Sequence, residues 1–467
     1  MTPQEIAEVR PRLVALAAQM LGDLPRKDQR AAGELYAWGL LTDGQRKSMQ
    51  PMAARLGVDH QRLQQFITSS TWDYAAVRRN VARDWPGSQP VEAVVADDTG
   101  FPKDGSASPC AARQYSGTLG KTGNCQIGVS VHLVNERASC AADWRLFCPA
   151  FWDDQALDDP VAAARAARLR ERARIPDEVR HTEKWRLALE MLGEMTGPGG
   201  WGVLEQAGGA RPVVTADAGY GDDTTFRLEL ENRDWQYAVA VRGTTSACSG
   251  DAQPVTRSLG GGPGRPPKPA YPAPPVNLRQ LAIASADQVQ QVTWRQGTKA
   301  TEGNPAAAVT SCFLAIRVRP ANRDIPRRPD GSLPEYWLLA EWPAEADEPT
   351  DYWPAGPARR YPRRRAGPAG QDQVANRARL PRAEARPRAR PLRGPLVRRV
   401  APPRHHCRTG PGLLHQAQDE PRSPCAGMTL YQVLRELQLV LAVILGACPL
   451  CRQPVTLDRL AAALDAT

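Results

Sequence analysis

Two strand-like runs in this 467-residue chain each end in an acidic residue. One is Val94-Val95-Ala96-Asp97-Asp98-Thr99; the other is Val213-Val214-Thr215-Ala216-Asp217-Ala218-Gly219-Tyr220. Side by side in a parallel or mixed sheet, such strands hold two carboxylates at one sheet edge. Clustered carboxylates can grip a pair of divalent cations, which phosphodiester chemistry uses to activate an attacking oxygen and stabilise a leaving one. Alternation along the first run puts Asp98 with Val94 and Ala96, which favours it over Asp97 as the ligand. Asp97 and Asp98 also suit a turn or helix cap, and Asp217 suits a strand-end turn. Asp222 and Asp223 read as caps of the helix that follows.

The surrounding pattern supplies elements to position these residues. Residues 1–85 read as helical: Ile6, Val9, Leu13, Leu16 and Ala17 keep a helical stripe, and Ala31–Leu41 and Pro51–Leu56 suggest further helices. Ala53–Val58 followed by Gln61–Phe66, with Gly57 in the turn, suits a helix-turn-helix or an ordinary αα-hairpin. Strands are expected at Glu92–Asp98, Gln126–Val134 and Cys140–Cys148, and amphipathic helices at Pro160–Arg174 and Thr182–Met195. After the second acidic strand come a helix at Asp223–Glu231 and a strand at Gln236–Val241. That order is that of an RNase H-like α/β layer. Gly260–Pro275 reads as a linker, and Leu278–Ala284, Val289–Trp294, Val309–Val318 and Tyr336–Trp342 alternate like strands of a β-rich insertion. Thr429–Leu445 reads as a Leu-rich helix that needs a partner surface.

Length predicts two or three domains, and a hydrophobic content of 42% supports packed cores. Thr2-Pro3-Gln4-Glu5 resembles a capped helix start rather than a leader, and the apolar run Leu437–Ala447 is too short to cross a bilayer. Ten cysteines with mostly unpaired spacing suit reduced thiols, so the expectation is a soluble, cytoplasmic protein with no membrane partner. The net charge of +10 is local: Pro354–Pro424 carries 17 Arg, no Lys and 4 acidic residues, and the remainder is slightly acidic. Cys448 and Cys451 have metal-ligand spacing but no second pair nearby. The tryptophans, Trp144, Trp152 and Trp185 among them, read as packing residues.

Asp98-Thr99-Gly100-Phe101-Pro102-Lys103, Arg113-Gln114-Tyr115-Ser116-Gly117 and Gly123-Asn124-Cys125-Gln126 together resemble bacterial insertion-sequence transposases of the DDE superfamily endonuclease type. Ala216–Gly221 and Tyr431–Leu437 add to the resemblance, which covers roughly residues 1–353 and 427–467. The resemblance implies an α/β fold: an RNase H-like core interrupted by a β-rich insertion, with an N-terminal helical domain. The divisions expected are 1–85 (helical, DNA-binding), 86–235 (first part of the core), 236–353 (last core strand and insertion), 354–427, and 428–467 (C-terminal helix and tail). It makes Asp98 and Asp217 catalytic ligands of Mg²⁺ or Mn²⁺, with Lys103 and Arg113 as candidate phosphate contacts or plain surface cations. The implied partners are DNA, as element terminal repeats and target, and a second copy in a homodimer, with the protein at the nucleoid.

The resemblance also implies a third catalytic residue, a Glu on a helix, in a run like Trp-Arg-Ile-Glu, placed after the insertion. Nothing of that kind occurs between Tyr352 and Met428. That interval is rich in Arg, Pro, Ala and Gly, as GC-rich DNA read out of frame would produce. Back-translating Gln371–Glu384 and starting one nucleotide later can give Lys-Ile-Arg-Trp-Arg-Ile-Glu-His-Asp-Tyr-Arg-Glu-Leu, with the lost Glu codon straddling Arg377 and Ala378. The expectation is a frameshifted chain lacking its catalytic Glu. The alternatives are a disordered basic arm at 354–424, and a non-enzymatic DNA-binding protein that occupies element ends.

Overall fold

The computed structural model describes residues 3–42, 47–88, 91–117, 120–135, 139–196, 199–203, 211–255, 270–296, 308–321, 325–328 and 331–356. The Arg-rich stretch from 357, the Leu-rich helix, Cys448 and Cys451 lie outside the described residues, as does most of the expected linker.

Five helices open the chain: α1 (Pro3–Leu21), α2 (Lys27–Leu41), α3 (Met49–Leu56), α4 (His60–Thr68) and α5 (Tyr74–Ser88). Gly57 ends α3 in the left-handed region at φ 65°, which a residue without Cβ adopts freely, and Asp59 then caps α4 by accepting from Gln61 N–H. Leu13, Leu24, Tyr36, Met52, Leu63 and Phe66 close a core of their own among these helices. The solvent side of α4 carries Gln61, Arg62, Gln64 and Gln65.

Next come β1 (Ala93–Pro102), β2 (Ala112–Ser116), β3 (Lys121–Val134) and β4 (Ser139–Leu146), then α6 (Pro160–Ala173) and α7 (Lys184–Thr196). Asp159 caps α6 with Pro160 at its start, where a missing N–H costs nothing. β5 (Val213–Ala216), α8 (Ala218–Gly221), α9 (Thr224–Asn232) and β6 (Tyr237–Ala238) follow. The last group is β7 (Ser246–Ser249), β8 (Val276–Asn277), α10 (Leu278–Ile283), β9 (Gln290–Gln296), β10 (Ala308–Pro320), β11 (Tyr336–Glu341) and β12 (Asp351–Gly356).

The described strands form one mixed sheet, ordered β2-β3-β1-β5-β6-β12-β11-β10-β7-β8, with β4 beside β3 and β9 beside β10. β1, β5 and β6 run parallel, while β3 and β12 flank them antiparallel. The fold is therefore mixed α/β with a large mixed sheet. Strands beyond residue 236 extend the same sheet instead of forming a separate one. Val94 and Ala96 of β1, Val129 and Val131 of β3, Val214 of β5 and Met191 and Leu192 of α7 share the main core. Each large apolar side chain buried there contributes about 1.5–3 kcal/mol.

Leu278–Ala284, expected as a strand, is the helix α10. Asn277 and Gln280 form a reciprocal capping box, and Leu278 and Ala282, four residues apart, are buried on one helical face. Gln236–Val241 is strand only at Tyr237–Ala238, with one further bridge from Val241 to Tyr352. Among the described residues no helix is long and apolar enough to cross a membrane.

Candidate active site

β1 and β5 pair in parallel with Ala96 opposite Ala216, so the residues that follow, Asp97 and Asp217, leave the paired region at the same level. Asp97 and Asp98 lie within the strand, opposite Ser130 and Val129 of β3, and form neither a turn nor a helix cap. Asp98 belongs to the face of Val94 and Ala96, and its half-buried carboxylate meets two groups from that side. Lys184 Nζ lies 2.5 Å from one oxygen, and the Tyr220 hydroxyl donates to the other. Asp97 accepts a bond from the Asp98 N–H at 2.7 Å, and its carbonyl accepts from the Ser130 hydroxyl.

Asp217 is the N-cap of α8: its Oδ1 accepts from Gly219 N–H at 2.9 Å, and its carbonyl accepts from Gly221 N–H at 2.9 Å. This hairpin-tight turn depends on Gly221, because a Cβ there would stand 1.9 Å from the Ala240 carbonyl oxygen. Asp217 is exposed as a residue, yet its carboxyl is crowded by protein on its inner side. That crowding, and then the Asp98 charge, raise its pKa; the bonds from Gly219 and Tyr220 and the Lys184 charge oppose the rise. Tyr220, buried beside both aspartates, is held well above the usual phenol range, first by burial and then by the Asp98 charge. It stays a hydrogen-bond donor at any physiological pH.

Lys184 opens α7, and its ammonium lies 5.3 Å from the centre of the Phe147 ring. His181 meets the same ring edge-on at 5.8 Å. Its Nδ1 contacts the Cys148 carbonyl at 2.8 Å, which only accepts, so Nδ1 carries the proton. The His181 N–H donates to Asp153, which Arg180 also contacts.

Of the acids after β5, Asp223 caps α9 by accepting from Thr225 and Phe226 N–H. Asp222 does not cap it, pairing instead with Arg242 at 2.6 Å. Lys103 and Arg113 lie near one another but away from the aspartates: Arg113 is opposite Asn124 in the β2–β3 ladder, and Asn124 bonds the Lys103 carbonyl at 2.8 Å. Lys103 is five residues beyond Asp98, about 16 Å along an extended strand.

Sequence reasoning assigned no role to Lys184 or Tyr220. Tyr220 stood inside a motif already singled out; Lys184 carried a weaker signal, a cation at a helix N-terminus where the backbone dipole disfavours it. Its partner is 86 residues away in the chain.

As an oxygen donor set, Asp98 and Asp217 fit a hard divalent cation. The rise that Asp98 imposes on Asp217 marks negative charge that Lys184 only partly offsets. Among the described residues no group of three His, Cys, Asp or Glu side chains is arranged to hold a metal ion.

A family model described as DDE superfamily endonuclease matches residues 19–301, which takes in both aspartates, Lys184 and Tyr220. The chain is also 34% identical over 98 residues to the probable transposase for insertion sequence element IS701 of Microchaete diplosiphon. That alignment spans 20% of this chain and 26%, about a quarter, of the relative. Matched over more than half its length and carrying its acidic pair at one edge of a mixed sheet, the chain belongs to the DDE superfamily endonucleases.

Proposed function

We propose that this chain descends from a transposase that cleaves DNA and transfers strands at the ends of an insertion sequence, and that as written it does not turn over. The observation that carries this reading is the parallel pairing of β1 and β5, which puts Asp98 and Asp217 close enough for the charge of one to raise the pKa of the other. Asp98 and Asp217 would hold Mg²⁺ or Mn²⁺. When bound, two such ions supply Lewis-acid activation of a water or 3′-hydroxyl and stabilise the leaving oxygen. Tyr220 fixes the Asp98 carboxylate by donating to one oxygen, and the Asp217 cap bond fixes the other ligand.

Loss of turnover follows from the third carboxylate. The family resemblance puts it after the insertion, where the chain reads Arg- and Pro-rich and where back-translation with allowed codons, shifted by one nucleotide, can give a Trp-Arg-Ile-Glu run. Removing one ligand of a two-metal site weakens ion binding and misplaces the nucleophile. The RNase H-like core, the DNA-binding role of residues 1–85, the dimer and the nucleoid location belong to this same reading.

The test compares three proteins on supercoiled DNA carrying element ends, with Mg²⁺ or Mn²⁺: this chain, a frame-restored version, and the latter with Asp98→Ala and Asp217→Ala. Nicking by the frame-restored protein alone is expected. Robust cleavage by this chain would sink the missing-Glu account, and aspartate-independent nicking would sink the site.

A second reading, a DNA-binding protein without cleavage, draws on the polar outer face of α4. Gln61, Arg62, Gln64 and Gln65 supply the donors and acceptors that base edges and phosphates take. Binding to element ends that survives the double aspartate change supports it.

A further inference from the structure

We propose that Lys184 is a tethered counter-cation: it occupies the cation position beside Asp98 in the metal-free chain and gives it up when a divalent ion binds. This rests on the metal-binding reading of Asp98 and Asp217 and goes beyond it. Both oxygens of Asp98 are taken, one by the Lys184 ammonium at 2.5 Å and the other by the Tyr220 hydroxyl. An incoming ion can reach the Lys184 side only by displacing the ammonium.

The local structure of α7 does not account for a lysine there. A cation in the first turn opposes the helix dipole, so its attachment to Asp98 outweighs a local penalty. An acidic residue in that first turn would serve the helix better.

The side chain is also suited to leave. Lysine carries a compact charge on a flexible four-carbon stem, whereas an arginine fork would clamp the carboxylate through two bonds. It keeps 31% of its side-chain surface exposed, which gives the ammonium a way out. The Phe147 ring, whose centre is already 5.3 Å from the ammonium, remains an attractive neighbour when the ammonium leaves Asp98. Without the lysine, Asp98 would lose its contacting cation, and Asp217 the charge that partly offsets the pull of Asp98. With it, the metal must outcompete an internal charge, so loading requires more metal than the bare pair would.

Two measurements on the full chain test this. Free Mn²⁺ is followed by electron paramagnetic resonance during titration of wild type, Lys184→Met, Lys184→Arg and the Asp98→Asn and Asp217→Asn double variant, with melting recorded in chelator and in Mn²⁺. Lys184→Met is expected to bind Mn²⁺ about tenfold tighter, since a competing unit charge at contact distance is gone. It should melt lower in chelator and regain the loss in Mn²⁺, whereas Lys184→Arg should bind no tighter than wild type. In wild type, amine acetylation of Lys184, read by mass spectrometry, is expected to quicken as Mn²⁺ saturates; this arm does not depend on any variant folding. Unchanged or weaker Mn²⁺ binding in Lys184→Met, or labelling that ignores Mn²⁺, overturns the proposal while aspartate-dependent binding preserves the metal reading. Mn²⁺ binding indifferent to the double aspartate change overturns both.

Discussion

Arg78 on α5 donates to the carboxylate of Asp143 on β4, and neither side chain reaches solvent to any extent. The same guanidinium donates to the Trp144 carbonyl, and Arg145 reaches Asp143 at 3.0 Å and Glu194 of α7 at 2.5 Å. This buried network ties the helices at the start of the chain to the sheet that carries the aspartates. Burial weakens both charges of the central pair: it lowers the pKa of Arg78, and it pushes Asp143 up to about 6 despite the two arginines.

Asp143→Ala is therefore expected to cost about 3–5 kcal/mol in chemical denaturation, because it leaves a buried guanidinium unpaired. Asp143 holds its proton more tightly in the fold than at its ordinary value of 3.8. Its contribution is full below that value and is lost as pH rises through about 6. Asp143→Asn should flatten that part of the stability profile, and an unchanged slope in that window would contradict the assignment.

Asp217 gives a second pH signature with the same sign. Its raised pKa means that the metal-free fold favours the protonated carboxyl, with stability lost as pH rises through the raised value. Asp217→Asn should stabilise the metal-free chain at neutral pH by less than about 1 kcal/mol, given its exposure to solvent screening. The gain should vanish below the ordinary carboxylate range. Melting curves in chelator across pH decide it, and destabilisation at pH 7 would count against a repulsive pair.

Gly221→Ala should destabilise by about 1–3 kcal/mol or more, since the new methyl meets backbone instead of a side chain that could swing aside. Backbone displacement there moves the turn that presents Asp217. Equilibrium unfolding checks the cost, and a neutral outcome would mean that the turn is loose.

Glu231 of α9 accepts from Tyr336 of β11 at 2.6 Å and from Tyr237 of β6 at 2.8 Å through the same oxygen. Burial raises the pKa of Glu231, and the two phenols oppose the rise. Tyr336→Phe is expected to cost about 1.5–3 kcal/mol, the worth of a bond to a charged group. Urea denaturation of the variant reads this directly.

On α4, Arg62→Ala should weaken DNA binding while shifting stability by less than about 0.5 kcal/mol, as surface changes do. Asp59→Ala should instead cost about 1 kcal/mol through the lost cap. Mobility shift and melting measured side by side separate the two effects.

The elements that were legible in the sequence are those with a strong period or a local terminator. Val94–Asp98 and Val213–Ala216 alternate or run apolar, and Asp223 and Gly57 announce helix ends. β2 was not legible, because Ala112-Arg113-Gln114-Tyr115-Ser116 has the polarity of an edge strand and gains its identity from β3. β12 escaped notice because Pro354 sits inside it, opposite Leu338. α10 was misread because six residues are too few to tell a period of two from 3.6, and the capping box decided the outcome. At the site, the carboxylates could be read as residues on strand ends. Lys184 and Tyr220 could not be assigned partners, since proximity to Asp98 is a product of the tertiary fold.

The direction of β12 places a demand on whatever chain completes the site. Gly356 is level with Tyr237, which is level with Val214, so the last described strand runs away from the aspartate edge. By Gly356 it has passed the level of Asp217 and lies three residues, about 10 Å, beyond it on the far side. A downstream acidic residue must reverse course and climb that height, which an α-helix does in about seven residues. A short helix laid back across the sheet would therefore return to the level of Asp98 and Asp217, whereas a chain continuing straight on from Gly356 would move steadily away from them.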